Sequence, residues 1–260
     1  MKTAIYETDL SDAQWAIIQP ILPPISKRGR PPTDRRLVMN AILYIVKGGI
    51  PWRMLPAGFP PWKTVHSLFR KWTLNHTWEN TNARLRAMTR EQHGKRCRPT
   101  AAILDSQSVK SDGHGGKVGY DSAKKIKGRK RHLLVDTLGL ILGVVVTAAN
   151  VPEREGAQQL LSRVLGWFTW LRKMWVDGGY SGPEFARWVR GLRPKLEVEV
   201  VKRSDDISGF KVLPRRWVVE RTFGWLMRHR RLVRDYERTE TSAEAWTYIA
   251  MIRIQLRRLA

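Results

Sequence analysis

Apolar positions in about the first ninety residues recur with the rhythm of helices, and after residue 99 they alternate or run together as in strands. Ser11, with Gln14 three residues on, predicts a capping box, Leu10 is set to staple onto Trp15, and that helix should stop near Pro20. A second helix is predicted from Thr33 or Asp34, with Leu37, Ala41, Tyr44 and Ile45 on one face and Gly48 and Gly49 at its end. A third, from about Thr64, carries Val65, Leu68, Phe69 and Trp72 at i, i+3, i+4 and i+7, and a fourth covers 77–91. Short helices with basic exposed faces fit a helix-turn-helix-like DNA-binding module, as they fit any small helical bundle.

The basic stretch 94–99 marks a boundary. Beyond it, strands are predicted over 100–104, 133–135, 140–148, 173–176 and 196–201, with a turn at 136–139. Helices are predicted over 157–165 and after 181–184, where Ser181 and Glu184 form a second capping box. Pro214 stands near the start of a further helix, and Thr241 and Glu244 should cap the last, which carries Trp246, Ile249, Ile252 and Leu256. This order gives an α/β fold with a mixed sheet over 96–260, preceded by a small all-helical domain over 1–95.

Charge changes the picture more than composition does. Lys and Arg number 47 against 23 Asp and Glu, a net charge of +24 that calls for a polyanionic partner, most simply nucleic acid. The single cysteine, Cys97, excludes an internal disulfide and argues against structural zinc. No run approaches the roughly 18 apolar residues of a membrane span, and the first residues form no secretory segment, so a cytoplasmic, nucleoid-associated location is expected. Of the tryptophans, Trp15, Trp72, Trp188 and Trp246 fall at core spacing. Trp52 and Trp62 lie in proline-rich loop, where packing and stacking on a flipped base are both open.

Against this basic background, three carboxylates stand in unusual settings. Asp105 and Asp177 each end an apolar strand, and Glu220 shares a helix with Trp217, Phe223 and Gly224, a setting that predicts an inward-facing side chain. Phosphoryl transfer at a DNA backbone can be run by two Mg²⁺ (or Mn²⁺) ions roughly 3.5–4 Å apart, bound through hard oxygen ligands. Three carboxylates, two on strand ends and one on a packed helix, suffice. Asp112, Asp121 and Asp136 compete, the first two from polar loop and the third from a hairpin turn. The run 124–132, with Lys124, Lys125, Lys127, Arg129, Lys130, Arg131 and His132, is expected to bind phosphates near the cleavage site. Lys27, Arg28 and Arg30 form a second basic segment, read either as a minor-groove arm or as a basic linker. Arg216 and Arg221 add positive charge around Glu220.

Four motifs then stand in one order. They are Asp105-Ser106-Gln107-Ser108-Val109-Lys110, the stretch from Tyr120 through His132, Asp177-Gly178-Gly179-Tyr180, and Arg216-Trp217-Val218-Val219-Glu220-Arg221-Thr222-Phe223-Gly224-Trp225-Leu226. Together they closely resemble DDE transposases of bacterial insertion sequences, specifically the insertion sequence five family. The segments 10–15, 29–32, 49–53 and 69–72 resemble that family's leading domain. The resemblance implies a ribonuclease H-like catalytic domain, with Asp105, Asp177 and Glu220 as a metal-binding catalytic triad. It also implies an N-terminal domain that recognises terminal inverted repeats, double-stranded DNA as substrate and target, and a homodimer processing two ends together. Arg216 matches the arginine of the family's glutamate signature. Leu213 and Met227 stand where that signature has tyrosine and lysine, so those two roles do not carry over. The expected activity is metal-dependent phosphodiester hydrolysis followed by strand transfer. The alternatives are a purely hydrolytic nuclease of the same fold and an inactive, transposase-derived DNA-binding protein.

Overall fold

The structure is a computed structural model and describes residues 6–24, 33–113, 116–201 and 216–260. Lys27, Arg28 and Arg30, and also Leu213 and Pro214, lie outside these residues. Helix α1 (Asp12–Ile18) opens on the expected capping box, with Ser11 and Gln14 each accepting from the other's backbone N–H. Helix α2 (Arg35–Gly48) is capped by Asp34 and ends at Gly49 in the left-handed region, φ 74°. Helices α3 (Trp62–Leu74) and α4 (Thr77–Gln92) follow. Where one apolar face was expected on α2, the helix buries Val38, Met39, Ala41, Ile42, Leu43, Ile45 and Val46, while Leu37 and Tyr44 are only half-buried. A helix buried on most sides belongs to the interior of something larger than a four-helix unit.

The sheet is built from β1 (Ala101–Lys110), β2 (Gly119–Asp121), β3 (Ile126–Asp136), β4 (Ile141–Ala148), β5 (Lys173–Val176) and β6 (Glu197–Val200). Its order is β2-β3-β1-β5-β6, with β4 also paired to β3. β3 runs antiparallel to β1 and β4, whereas β1, β5 and β6 are parallel. Helices α5 (Glu153–Val164) and α6 (Pro183–Leu192) cover one face. Helix α7 (Trp217–Met227), the short α8 (Arg230–Val233) and α9 (Glu240–Leu259) contribute to the core on the other. Two expected caps are different in the structure. α6 starts from Gly182 with no side-chain cap, and α9 starts from Thr239, whose hydroxyl accepts from the Ser242 N–H. Glu244 instead accepts from the Val146 N–H of β4 at 3.0 Å and pairs with Arg163 at 2.7 Å.

The boundary near residue 95 separates helices from strands, but packing crosses it. One apolar cluster joins Val38, Ile42, Phe69, Trp72 and Trp78 of the first helices to Ile103, Val135, Val144 and Trp175 of the sheet and to Trp246 and Ile249 of α9. Trp52, in the proline-rich loop, packs against Phe69 and Trp246 with ring centroids 5.2 and 5.5 Å away, which supports loop packing over base stacking for this residue. Polar groups make the same crossing. Arg90 of α4 pairs with Asp136 at 2.6 Å with both side chains buried. Asn82 and Arg86 both donate to the Ile141 carbonyl, at 2.9 and 2.8 Å. The other Asp136 oxygen accepts the Leu138 and Leu140 N–H groups, each at 2.9 Å, and so closes the β3–β4 turn. The apolar surface of these first helices is completed by the sheet and by α9.

Two outcomes follow. An isolated 1–95 fragment should melt without a cooperative transition by circular dichroism, having lost the partners of α2 and α4. In the full chain, Arg90→Met strands Asp136 as an unpaired buried charge and should lower stability by about 3–5 kcal/mol in denaturant titration.

Candidate active site

Strand register brings the two aspartates together. β1 and β5 are parallel neighbours, with Ile103 opposite Trp175. Asp105 and Asp177 stand two residues further along each strand, so the strand period turns both toward the face of Ile103 and Trp175. That is the face covered by Val218 and Val219 of α7, and Glu220 lies in the first turn of the same helix. Arg216, at the N-cap of α7, spans the group. Its Nη2 is 3.5 Å from Asp177 Oδ2 and 3.8 Å from Glu220 Oε1.

The carboxylates differ in environment. Burial pushes Asp105 up to about 7, a shift that Asp177 and Glu153 reinforce and that the Ser106 N–H (at 2.7 Å) and Arg216 oppose. A carboxyl raised in this way adds stability to the metal-free fold at low pH and loses it as pH rises through about 7. Asp177 Oδ1 accepts from the Gly179 N–H at 2.9 Å. Glu220 does not point into packing as its neighbours suggested. Its side chain is 52% exposed, because α7 buries Val218, Val219, Thr222, Phe223 and Leu226 and leaves Trp217, Glu220 and Gly224 outward. Glu220 lines a groove with Ser106, Ser108, Lys124 and Met227. Among the described residues no group of three His, Cys, Asp or Glu side chains stands close enough to hold a metal ion. Between Asp177 and Glu220 it is the Arg216 guanidinium that supplies the positive charge.

Glu153, the first residue of α5, joins this group although the sequence did not single it out. Its Oε1 accepts from Ser106 Oγ at 3.0 Å and from Lys124 Nζ at 3.2 Å. Tyr180 is buried beside the same acids, which together with burial push its phenol well above the usual range. The signal for Glu153 was weak, since an acid in a first helical turn is commonplace.

The basic run divides in two. β3 begins inside it, at Ile126, and extends through it, where the sequence suggested a loop before a strand. Arg129, Lys130 and Arg131 are buried in that strand. Arg129 pairs with Asp235 at 3.5 Å, Lys130 with Asp121 at 3.6 Å, and Arg131 donates to the Leu232 carbonyl at 2.8 Å. His132 is buried as well, and burial lowers it to about 4. These side chains hold the C-terminal helices and β2 to the sheet, so the expectation that they bind phosphate is withdrawn. Arg221 is also engaged, with its guanidinium 4.4 and 4.5 Å from the ring centroids of Trp217 and Trp225 and donating to the Leu138 carbonyl. Lys124 and Lys125 remain exposed on the β2–β3 turn, and Lys127 is exposed near the start of β3. Of the competing carboxylates, Asp121 accepts from Ser108 at 2.6 Å and Asp136 closes its turn, so both are structural.

A mixed sheet with β3 antiparallel to β1, parallel β5 and β6 beyond it, and carboxylates on β1, after β5 and on a C-terminal helix defines a ribonuclease H-like nucleic-acid enzyme. Residues 96–254 match the family model described as Transposase DDE domain, and residues 10–82 match one described as "Putative transposase of IS4/5 family". The insertion element IS402 uncharacterized 16.2 kDa protein of Burkholderia cepacia is 32% identical over 121 residues, covering 42% of this chain and 78% of that protein. The chain belongs to the DDE transposases of the IS4/5 family, enzymes that cleave DNA and transfer its strands by metal-dependent chemistry.

The divided basic run has a measurable consequence. Arg129→Ala leaves Asp235 buried without its ion-pair partner and should cost about 3–5 kcal/mol of stability. Lys127→Ala, on an exposed side chain, should stay within about 0.5 kcal/mol of wild type. Urea titration of both variants separates strand cations from surface cations.

Proposed function

We propose that this transposase acts on the terminal inverted repeats of its own insertion sequence, as a homodimer, with Asp105, Asp177 and Glu220 holding two Mg²⁺ or Mn²⁺ ions. The observation that carries the reading is the pair of carboxylates on neighbouring parallel strands, linked through Arg216 to a third on α7. The donor set is all hard oxygen, as these ions require. It is opened further by Gly179, where a Cβ would stand 2.7 Å from Glu153 Oε2 and 3.1 Å from Asp177 Oδ1. When bound, such ions neutralise charge at the scissile phosphate and make water or a 3′-hydroxyl a competent nucleophile.

The chain's own residues supply the rest. Asp105 and Asp177 are fixed by backbone N–H donors, and so hold their carboxylates in one orientation. Glu220 approaches from the exposed side of α7, whose first turn is packed on the sheet by Val218 and Val219. Arg216 carries a fork of donors suited to a phosphate oxygen once the carboxylates no longer need its charge. Lys124 borders the groove, and Lys125 and Lys127 line a neighbouring cavity with Tyr120 and Arg234; all three would hold the DNA backbone without reading its sequence. Lys27, Arg28 and Arg30 are assigned to end recognition on the strength of their sequence. Element ends and target DNA put the enzyme in the nucleoid-associated cytoplasm. No helix among the described residues is long and apolar enough to cross a membrane.

Asp105→Asn or Asp177→Asn should abolish cleavage and strand transfer on a DNA carrying the element ends, while binding of those ends in a mobility-shift assay persists. Cleavage at the wild-type rate by either variant would end the reading. For wild type, Mg²⁺ should raise Tm in proportion to RT ln(1 + [Mg²⁺]/Kd). The gain should grow from about pH 6 to about pH 8 as Asp105 gives up its proton, and it should be nearly flat with pH in Asp105→Asn.

A further inference from the structure

Helix α5 sits unusually close to the sheet. A Cβ on Gly156 would collide with the His132 ring of β3, and one on Gly143 of β4 would lie 2.8 Å from Val164. Only bare glycines at these two contacts allow the approach. The approach sets the first turn of α5 against Ser106, in the middle of β1, and near Gly179, just past the end of β5. Glu155 in the same turn is exposed, as an acid that merely answers the helix dipole would be. Glu153 is instead half-buried, with one carboxylate oxygen held by Ser106, the neighbour of Asp105 in β1.

The two oxygens of Glu153 have different surroundings. Oε1 is taken by Ser106 and Lys124, at 3.0 and 3.2 Å. Oε2 and Asp177 Oδ1 both lie close to where a Cβ on Gly179 would stand, at 2.7 and 3.1 Å from it. The Tyr180 hydroxyl, buried and without a hydrogen bond of good geometry, lies among Asp105, Glu153 and Asp177. A fold gains nothing by crowding a third acid and a buried phenol against two aspartates unless a cation is to be held there.

We infer that Glu153 is a fourth carboxylate of the metal-binding cluster, and that Lys124 restrains it in the absence of DNA. The inference rests on the reading that Asp105 and Asp177 bind divalent ions. Lys124 is fixed for this task, because its backbone N–H donates to Asp121 at 3.1 Å while its ammonium reaches Glu153. The same ammonium is exposed to a DNA phosphate, which would compete with Glu153 for it. DNA binding would then release Glu153 toward the metal, and the two ligands would strengthen each other's binding.

The test uses the full chain without DNA, titrated with MnCl₂ and followed by calorimetry and by Tm. Glu153→Gln keeps the shape and should weaken Mn²⁺ binding roughly 10–100-fold, the range seen when a residue supporting a metal site is removed. Lys124→Met should act in the opposite direction and tighten Mn²⁺ binding beyond the effect of Lys125→Met, which removes the same charge nearby. That extra tightening should vanish when Lys124→Met is combined with Glu153→Gln. A merely structural Glu153 would not give this pair of opposite signs. Wild-type Mn²⁺ affinity in Glu153→Gln, or equal effects of the two lysine variants, overturns the inference and leaves the aspartate site standing. No Mn²⁺ response in wild type overturns both.

Discussion

Two parallel strands that carry carboxylates at matching height impose the main constraint on this molecule. Asp105 and Asp177 repel each other, and burial of Asp105 makes its ionised form costly. The surroundings offset that cost with groups fixed by the backbone: the Ser106 and Gly179 N–H donors and, across the cleft, Arg216. The apolar faces of the same strands anchor the site. Ala102, Leu104, Met174 and Val176 pack toward α5 and α6, while Ile103 and Trp175 pack into the cluster that contains α7 and α9. Both sheet faces must be covered for the strand ends to stay in register, and the covering helices deliver Glu153 and Glu220.

The large positive charge has two different functions. Some of it never meets solvent: Arg90, Arg129, Lys130 and Arg131 are buried and bound to Asp136, Asp235, Asp121 and the Leu232 carbonyl. These cations link segments that are far apart in sequence, and their long apolar stems fill space as they do so. Other cations, Lys124, Lys125 and Lys127 among them, are exposed where a polyanion can reach them, and Lys124 lines the groove of Glu220. Net charge alone suggested a uniform nucleic-acid surface. Burial assigns part of that charge to the fold.

The first helices are likewise tied to the catalytic sheet. α9 packs against both α4 and β4, and Glu244 on α9 occupies the Val146 N–H of β4. With α2 buried on most sides and Arg90 paired to Asp136, a DNA end held by the helical segment would be held rigidly with respect to the carboxylates. Such coupling suits an enzyme that must cut at a fixed distance from the sequence it recognises.

Local chemistry determined a good deal by itself. The Ser11 and Asp34 caps, the stop at Gly49, strand 173–176 and the switch from helix to strand near residue 95 all depend on neighbours in sequence, and each is present. The aspartates were legible because a carboxylate that follows an apolar run is costly without a partner, although β1 continues past Asp105 to Lys110 where a strand end was expected. Three things depended on contacts between distant residues. Arg129, Lys130 and Arg131 read as a charged surface because their partners, Asp235, Asp121 and the Leu232 carbonyl, are supplied by other segments of the chain. Glu220 read as inward because helical spacing gives neighbours on a face, not which face the sheet will cover. Glu153 was invisible because its setting exists only once Gly156 lets α5 settle against His132. Periodicity and capping act within a turn or two of chain, whereas burial and ion pairing are properties of the assembled fold.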